Sequence, residues 1–286
     1  MIPASFAYAR PTTVDEALQA IAAGGEDVKI LAGGQSLIPV MRLRLAAPET
    51  VVDITRVTEL RGVREDGDSL VIGAMTTHHD VITDPLIAQY GKLIAEATET
   101  VADPAVRHRG TFGGALVHAD PAGDLPAVAL ALDAEFVIAG LGGARRTVPA
   151  TEFFVDYLTT ALADGELLVE VRVPKLGSDW GVRYEKFNRV AQAWSIVAVA
   201  AAVRREGSRI TEARIGLTNM GSTPIRARAV EAALVGADVS LETVTAAAAQ
   251  AAEGTEPSSD LNAQADYRQH LARVLTRRAV TAAAGL

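Results

Sequence analysis

Short apolar runs alternate along the chain with breaks marked by glycine or proline, and both the helical and the strand period occur. Thr13-Val14-Asp15-Glu16 has the spacing of a capping box, so a helix is predicted over about residues 14–23, ended by Gly24-Gly25. Val28-Lys29-Ile30-Leu31-Ala32 reads as a buried strand that runs into Gly33-Gly34, and strand-like pieces recur at 50–54 and 69–72. Asp84-Pro85 opens a longer amphipathic helix predicted to reach Thr100. The apolar segment 125–138 predicts a helix turning into a strand, and 166–174, with Leu168, Glu170 and Arg172 in alternation, predicts an exposed strand.

A polar turn, Lys175-Leu176-Gly177-Ser178-Asp179, divides the chain into a first domain over 1–176 and a second over 177–286. Beyond it, 184–187, 195–204 and 210–219 form a predicted antiparallel meander of three strands, with Arg205-Glu206-Gly207-Ser208 as its middle turn. Helical spacing then holds over 224–234, 241–252 and 265–284, with Gly236 and Gly254 as stops. The fold class is therefore α+β, with no internal repeat of solenoid period.

Composition narrows the chemistry. The 27 basic and 35 acidic residues leave a net charge of −8, which argues against a strongly basic nucleic-acid surface. With no cysteine, the chain has no thiol catalysis, no zinc-thiolate site and no cysteine-ligated iron–sulfur cluster of its own. The N-terminus lacks the pattern of a signal peptide, so a cytoplasmic protein is expected. The longest apolar run, at 191–203, is too short for a membrane span and reads as a buried strand or core helix.

Candidate motifs are tested by letter. The five histidines, His78, His79, His108, His118 and His270, form no H-E-x-x-H or other tight metal spacing. His118-Ala119-Asp120 sets an imidazole near a carboxylate or is an ordered loop. Gly34-Gln35-Ser36-Leu37-Ile38 fails the last position of a nucleophile elbow, and neither a Walker A loop nor a Rossmann turn occurs. Gly140-Leu141-Gly142-Gly143 comes nearest to the latter, but Arg145 replaces its third glycine and the segment reads as a hairpin turn.

Two diglycine loops remain, Ala32-Gly33-Gly34-Gln35-Ser36 and Thr111-Phe112-Gly113-Gly114-Ala115, about 80 residues apart. Consecutive glycines let successive backbone N–H groups converge on an anion, and Gln35, Ser36 and Thr111 add side-chain donors, as a diphosphate cradle requires. The competing reading is a pair of ordinary strand-end turns. Asp124, shortly after the second loop, has the chemistry to accept ribose hydroxyl bonds, and equally that of a helix-starting residue.

Taken together, Lys29 to Pro39, Arg109 to Leu116, His118-Ala119-Asp120-Pro121 and Asp124-Leu125-Pro126 resemble the FAD-binding medium subunit of molybdenum hydroxylases, the group of aerobic carbon monoxide and xanthine dehydrogenases. The resemblance covers nearly the whole chain. It implies a two-lobed FAD-binding domain of the vanillyl-alcohol-oxidase (PCMH) type, followed by a domain with a three-stranded antiparallel sheet and a helical bundle. FAD would lie between them. Ile30, Leu31, Ala32, Gly33, Gly34, Gln35, Ser36 and Leu37, with Thr111, Phe112, Gly113, Gly114 and Ala115, would hold the diphosphate, with Leu37 near the isoalloxazine. Asp124 would lie on the adenosine half. Val101 and Leu168 match apolar positions that touch the flavin, Lys186 falls in the matching opening of the C-terminal domain, and Trp194 would cover the ring.

The same resemblance implies an electron-transfer role with no catalytic residue and no metal on this chain. A large subunit would carry the molybdenum cofactor and a small subunit two 2Fe-2S clusters, assembled as a dimer of heterotrimers. Electrons would leave through FAD to an external quinone or NAD, in the cytoplasm or at the inner face of the membrane. The motifs lean towards the carbon monoxide dehydrogenase branch, and the absence of cysteine excludes the benzoyl-CoA reductase branch. The alternative is a stand-alone flavin reductase or oxidase on the same fold.

Overall fold

The computed structural model describes residues 2–286. Its first helix is Val14–Ala23, where the capping box places it: Thr13 Oγ1 accepts from Glu16 N at 3.1 Å. The return arm lands one residue early, since the Glu16 carboxylate takes Thr12 N at 2.7 Å and Thr12 Oγ1 at 2.8 Å. This helix is the crossover that a parallel pairing needs. It links Ala7–Ala9 to Val28–Leu31 in a three-stranded parallel sheet with Thr50–Asp53 in the middle. Val14, Leu18 and Ile21 pack there against Val52 and Ile54.

A five-stranded antiparallel sheet follows, in the order Val63–Asp66, Ser69–Gly73, Leu167–Pro174, Glu135–Ala139, Arg145–Pro149. The strand expected to be exposed is its central member. Leu167, Leu168, Val169, Val171 and Val173 are all buried, and a register shift between Leu168 and Glu170 distributes them over two cores. Alternation alone misleads here because Glu170 and Arg172 are covered by ion pairing, Arg64 to Glu170 at 2.6 Å and Arg172 to Asp66 at 2.5 Å.

The single helix predicted from Asp84 to Thr100 is two, Pro85–Tyr90 and Lys92–Glu99. They part at Gly91, whose backbone is non-helical and which brings no side chain to pack across the break. Segment 125–138 resolves as expected into the helix Asp124–Ala131 and the strand Glu135–Ala139. That helix is buried on every side, with Ala127 so close to Gly216 that a Cβ there would overlap the Ala127 carbonyl.

The C-terminal meander forms as predicted from Trp180–Phe187, Val197–Glu206 and Arg209–Thr218, and a two-residue fourth strand, Ile225–Arg226, extends it. The helix expected from 224 therefore starts only at Arg228. Arg226 is committed elsewhere, bonded to Glu231 and Asp133 at 2.6 Å each. In the middle strand, Ala198, Ala200 and Ala202 face the first core, while Val197, Val199, Ala201 and Val203 face a second core closed by Leu241–Ala248 and Ala265–Ala283. Among the described residues no helix is long and apolar enough to cross a membrane.

Candidate cofactor site

The strand Val28–Leu31 delivers the first glycine loop to the edge of the small sheet, and Leu37–Arg42 leads away from it. Gly34 sits at φ +76°, where a Cβ would also press on Ile38 Cδ1 at 2.6 Å. Helix formation after the bend uses the carbonyls of Gly34 and Ser36, accepting from Ile38 N and Val40 N. Among the described residues, no backbone N–H of 33–37 donates to a protein acceptor. Five consecutive donors on a side-chain-poor bend are what an anionic diphosphate needs.

The second loop is built differently. Thr111 caps Phe112–His118 by accepting from Gly114 N at 3.2 Å. Phe112 N bonds Thr76 O, Gly113 N bonds Ala74 O and Ala115 N bonds Thr111 O, each at 2.9–3.0 Å. The N–H groups of 112–115 are therefore consumed by the fold, and the loop acts as a brace. The first loop rests on it: a Cβ on Gly33 would overlap the Arg109 carbonyl oxygen and come within 2.8 Å of Gly110 Cα. Ala32 faces Gly114, and Gly113 lies against Ala74.

A buried polar cluster joins the helix Asp124–Ala131 to the C-terminal sheet. Asp124 Oδ1 accepts from Tyr184 Oη at 2.7 Å and Ser195 Oγ at 2.8 Å, and Oδ2 accepts from Lys186 Nζ at 2.8 Å. Lys186 also donates to the Thr100 carbonyl at 3.0 Å, and both charged side chains of the pair are only 5% exposed. A carboxylate has about four acceptor directions and an ammonium three donors. Three acceptors and two donors are used, so one of each remains. Burial above all, and then the charge of Asp124, push the Tyr184 hydroxyl well above the usual phenol range, so it stays a donor.

The structure distributes the expected site residues unevenly. The stretch 30–37 meets the second glycine loop, Gly33 against Arg109 and Gly110 and Ala32 against Gly114, while Asp124 and Lys186 form a buried pair of their own. Val101 is half-buried beside Thr100, with its carbonyl held by Arg107 Nη1 at 2.9 Å. Trp194 is 55% exposed, its ring 6.4 Å from that of His118 at the end of the second loop's helix. Leu168 and Phe112, the latter the first residue of that helix, are each 2% exposed and belong to the core. His118-Ala119-Asp120, read as an imidazole near a carboxylate or as an ordered loop, holds a loose contact of 3.9 Å between His118 and Asp120.

Tyr184 and Ser195 carry site roles that residue types alone do not announce. Tyr184 and Lys186 are two apart in a strand and so share a face, the one available signal. His78 has none: its ring lies under Gly110, which a Cβ would bring to 2.8 Å of His78 Cδ2. Burial first, and the Arg107 charge second, lower its pKa from 6.5 to about 4. The neutral ring is thus the folded form, and stability is complete above pH 6.5. As pH falls from 6.5 to about 4 the unfolded chain takes up the proton first, costing up to roughly 3 kcal/mol. Urea midpoints should drop across that window, and much less so in His78→Leu.

Comparison with known proteins assigns the class. Residues 4–176 match the family described as "FAD binding domain in molybdopterin dehydrogenase", and 182–283 match "CO dehydrogenase flavoprotein C-terminal domain". The chain belongs to this family of FAD-binding molybdenum-hydroxylase subunits, and is an oxidoreductase subunit. Within it, the chain is 43% identical to the carbon monoxide dehydrogenase medium chain of Hydrogenophaga pseudoflava, over 99% of this chain and 98% of that one. It is 39% identical to the medium chain from Afipia carboxidovorans, over 98% and 97%. A solved carbon monoxide dehydrogenase from H. pseudoflava, in a form lacking the Mo-pyranopterin moiety of its cofactor, superposes with a TM-score of 0.96 at 44% identity, covering 99% and 98%.

Proposed function

We propose that this chain carries FAD as the electron outlet of a heterotrimeric molybdenum hydroxylase, with carbon monoxide dehydrogenase the enzyme it fits best. The observation that carries the reading is the run of five uncommitted N–H groups at 33–37, seated on the second glycine loop. Those donors, with Gln35, Ser36 and the Thr111 hydroxyl, hold the diphosphate. Leu37 and Val101 supply apolar contact, and Trp194 covers the ring face. Asp124, on the adenosine half, and Lys186 meet the cofactor with the one acceptor and one donor they have left.

Bound FAD supplies two-electron and one-electron chemistry in one group. The residues of this chain bind it, orient it and keep it at the seam between two packed units. In this reading a large partner chain holds the molybdenum cofactor and oxidises the substrate, and a small partner holds two 2Fe-2S clusters. The trimer pairs into a dimer of heterotrimers, and a quinone or NAD takes the electrons away. The 43% and 39% identities to carbon monoxide dehydrogenase chains favour carbon monoxide as substrate over a purine or N-heterocycle.

Expression with its neighbouring chains, followed by metal and flavin analysis, tests this. Copurification of two further chains with molybdenum, iron and copper, and one FAD per copy of this chain, is expected. Recovery of a lone yellow protein that oxidises NADPH would favour the stand-alone flavin enzyme instead.

A further inference from the structure

The segment that presents Trp194 is held in part from the residue just past the neighbouring strand, Arg209–Thr218. Ser195 and Ile196 precede the strand Val197–Glu206, so neither carbonyl belongs to the sheet's ladder. Asn219 donates its side-chain amide to both, at 2.8 Å to Ser195 O and 3.2 Å to Ile196 O. Its own backbone N–H goes to the Pro121 carbonyl at 2.8 Å, in the loop between the second glycine motif and Asp124. To face three ways Asn219 adopts φ +61°, a conformation asparagine tolerates better than other side chains.

Other bonds close the same segment. Ser195 Oγ bonds Asp124, Ser195 N reaches Ala122 O at 3.4 Å, and the fully buried Arg268 donates to Ile196 O while pairing with Asp260 at 2.8 Å. The backbone on the C-terminal side of Trp194 is thus determined, leaving the indole its own two torsions. Asn219 adds a second tie beside that of Ser195, holding the segment by its side chain and the loop that carries Asp124 by its backbone.

We propose that Asn219 is a positioning residue: its amide fixes the Trp194-Ser195-Ile196 segment against the loop 121–124, so that the indole is presented at one place over the cofactor cleft. The inference rests on the FAD reading for its consequence, though not for its geometry. Losing one or two neutral hydrogen bonds that preorganise the wall weakens FAD binding about tenfold, the equivalent of roughly 1.4 kcal/mol.

The test uses the full chain with Trp180→Phe, so that Trp194 is its single tryptophan. Asn219→Gly keeps the left-handed backbone and the bond to Pro121 but deletes the amide, whereas Asn219→Asp keeps size and turns an acceptor towards two carbonyls. Without flavin, acrylamide should quench Trp194 more strongly in both variants, and titrated FAD should bind each about tenfold more weakly. Quenching and FAD affinity in Asn219→Gly equal to the parent's would overturn the proposal, because the residue would then matter only for its backbone. If the parent itself binds no FAD, the proposed function fails, and the quenching comparison still decides the role of Asn219.

Discussion

Lys186→Met is expected to destabilise the protein by about 3–5 kcal/mol, the cost of leaving a buried partner charge uncompensated. The Asp124 carboxylate would keep Tyr184 and Ser195 as donors but lose its only cation, in a place where it is 6% exposed. Water cannot replace the ammonium without opening the packing between Asp124–Ala131 and the C-terminal sheet. The carbonyl of Thr100 would lose a donor in the same step. Urea denaturation of the single variant, of Asp124→Asn and of the double variant forms a cycle that isolates the pair. The double variant should recover a large part of the loss, since neither charge then remains. Additive losses in the cycle would mean that the two groups do not depend on one another.

Gly33→Ala should strip the purified complex of most of its flavin. The added methyl would overlap the Arg109 carbonyl oxygen and crowd Gly110, so the first glycine loop must lift off the second. The structure places this methyl in the joint between two stretches of protein and not in open space. The distinction matters for the control. Gly25, unlike Gly33, has a positive φ, +76°, but open space around it, so Gly25→Ala carries only a backbone penalty of about 1–2 kcal/mol and keeps its flavin. Flavin-to-protein absorbance ratios of the two variants, purified side by side, settle the matter. Full flavin in Gly33→Ala would show that the loops need not touch.

Much of this architecture is legible in the residues themselves. The capping box at Thr13, the helix stop after Ala23, and the meander around Arg205-Glu206-Gly207-Ser208 are local, and local rules suffice for them. What escapes is set by neighbours distant in the chain. Nothing in 166–174 reveals that Arg64 and Asp66 will cover Glu170 and Arg172 and so turn an apparently exposed strand into a central one. Nothing near Asp124 reveals the three donors from 184–195. The glycine loops can be found by letter, but their division of labour, one with its N–H groups free and one with them spent, depends on Ala74 and Thr76.

The strand Val197–Glu206 is lined with alanine on one side and mostly valine on the other, and each side is sealed by a different set of helices. No slip plane runs between the two halves of the molecule. Parting them would bare oily surface on both, so opening the seam like a jaw carries a heavy hydrophobic cost.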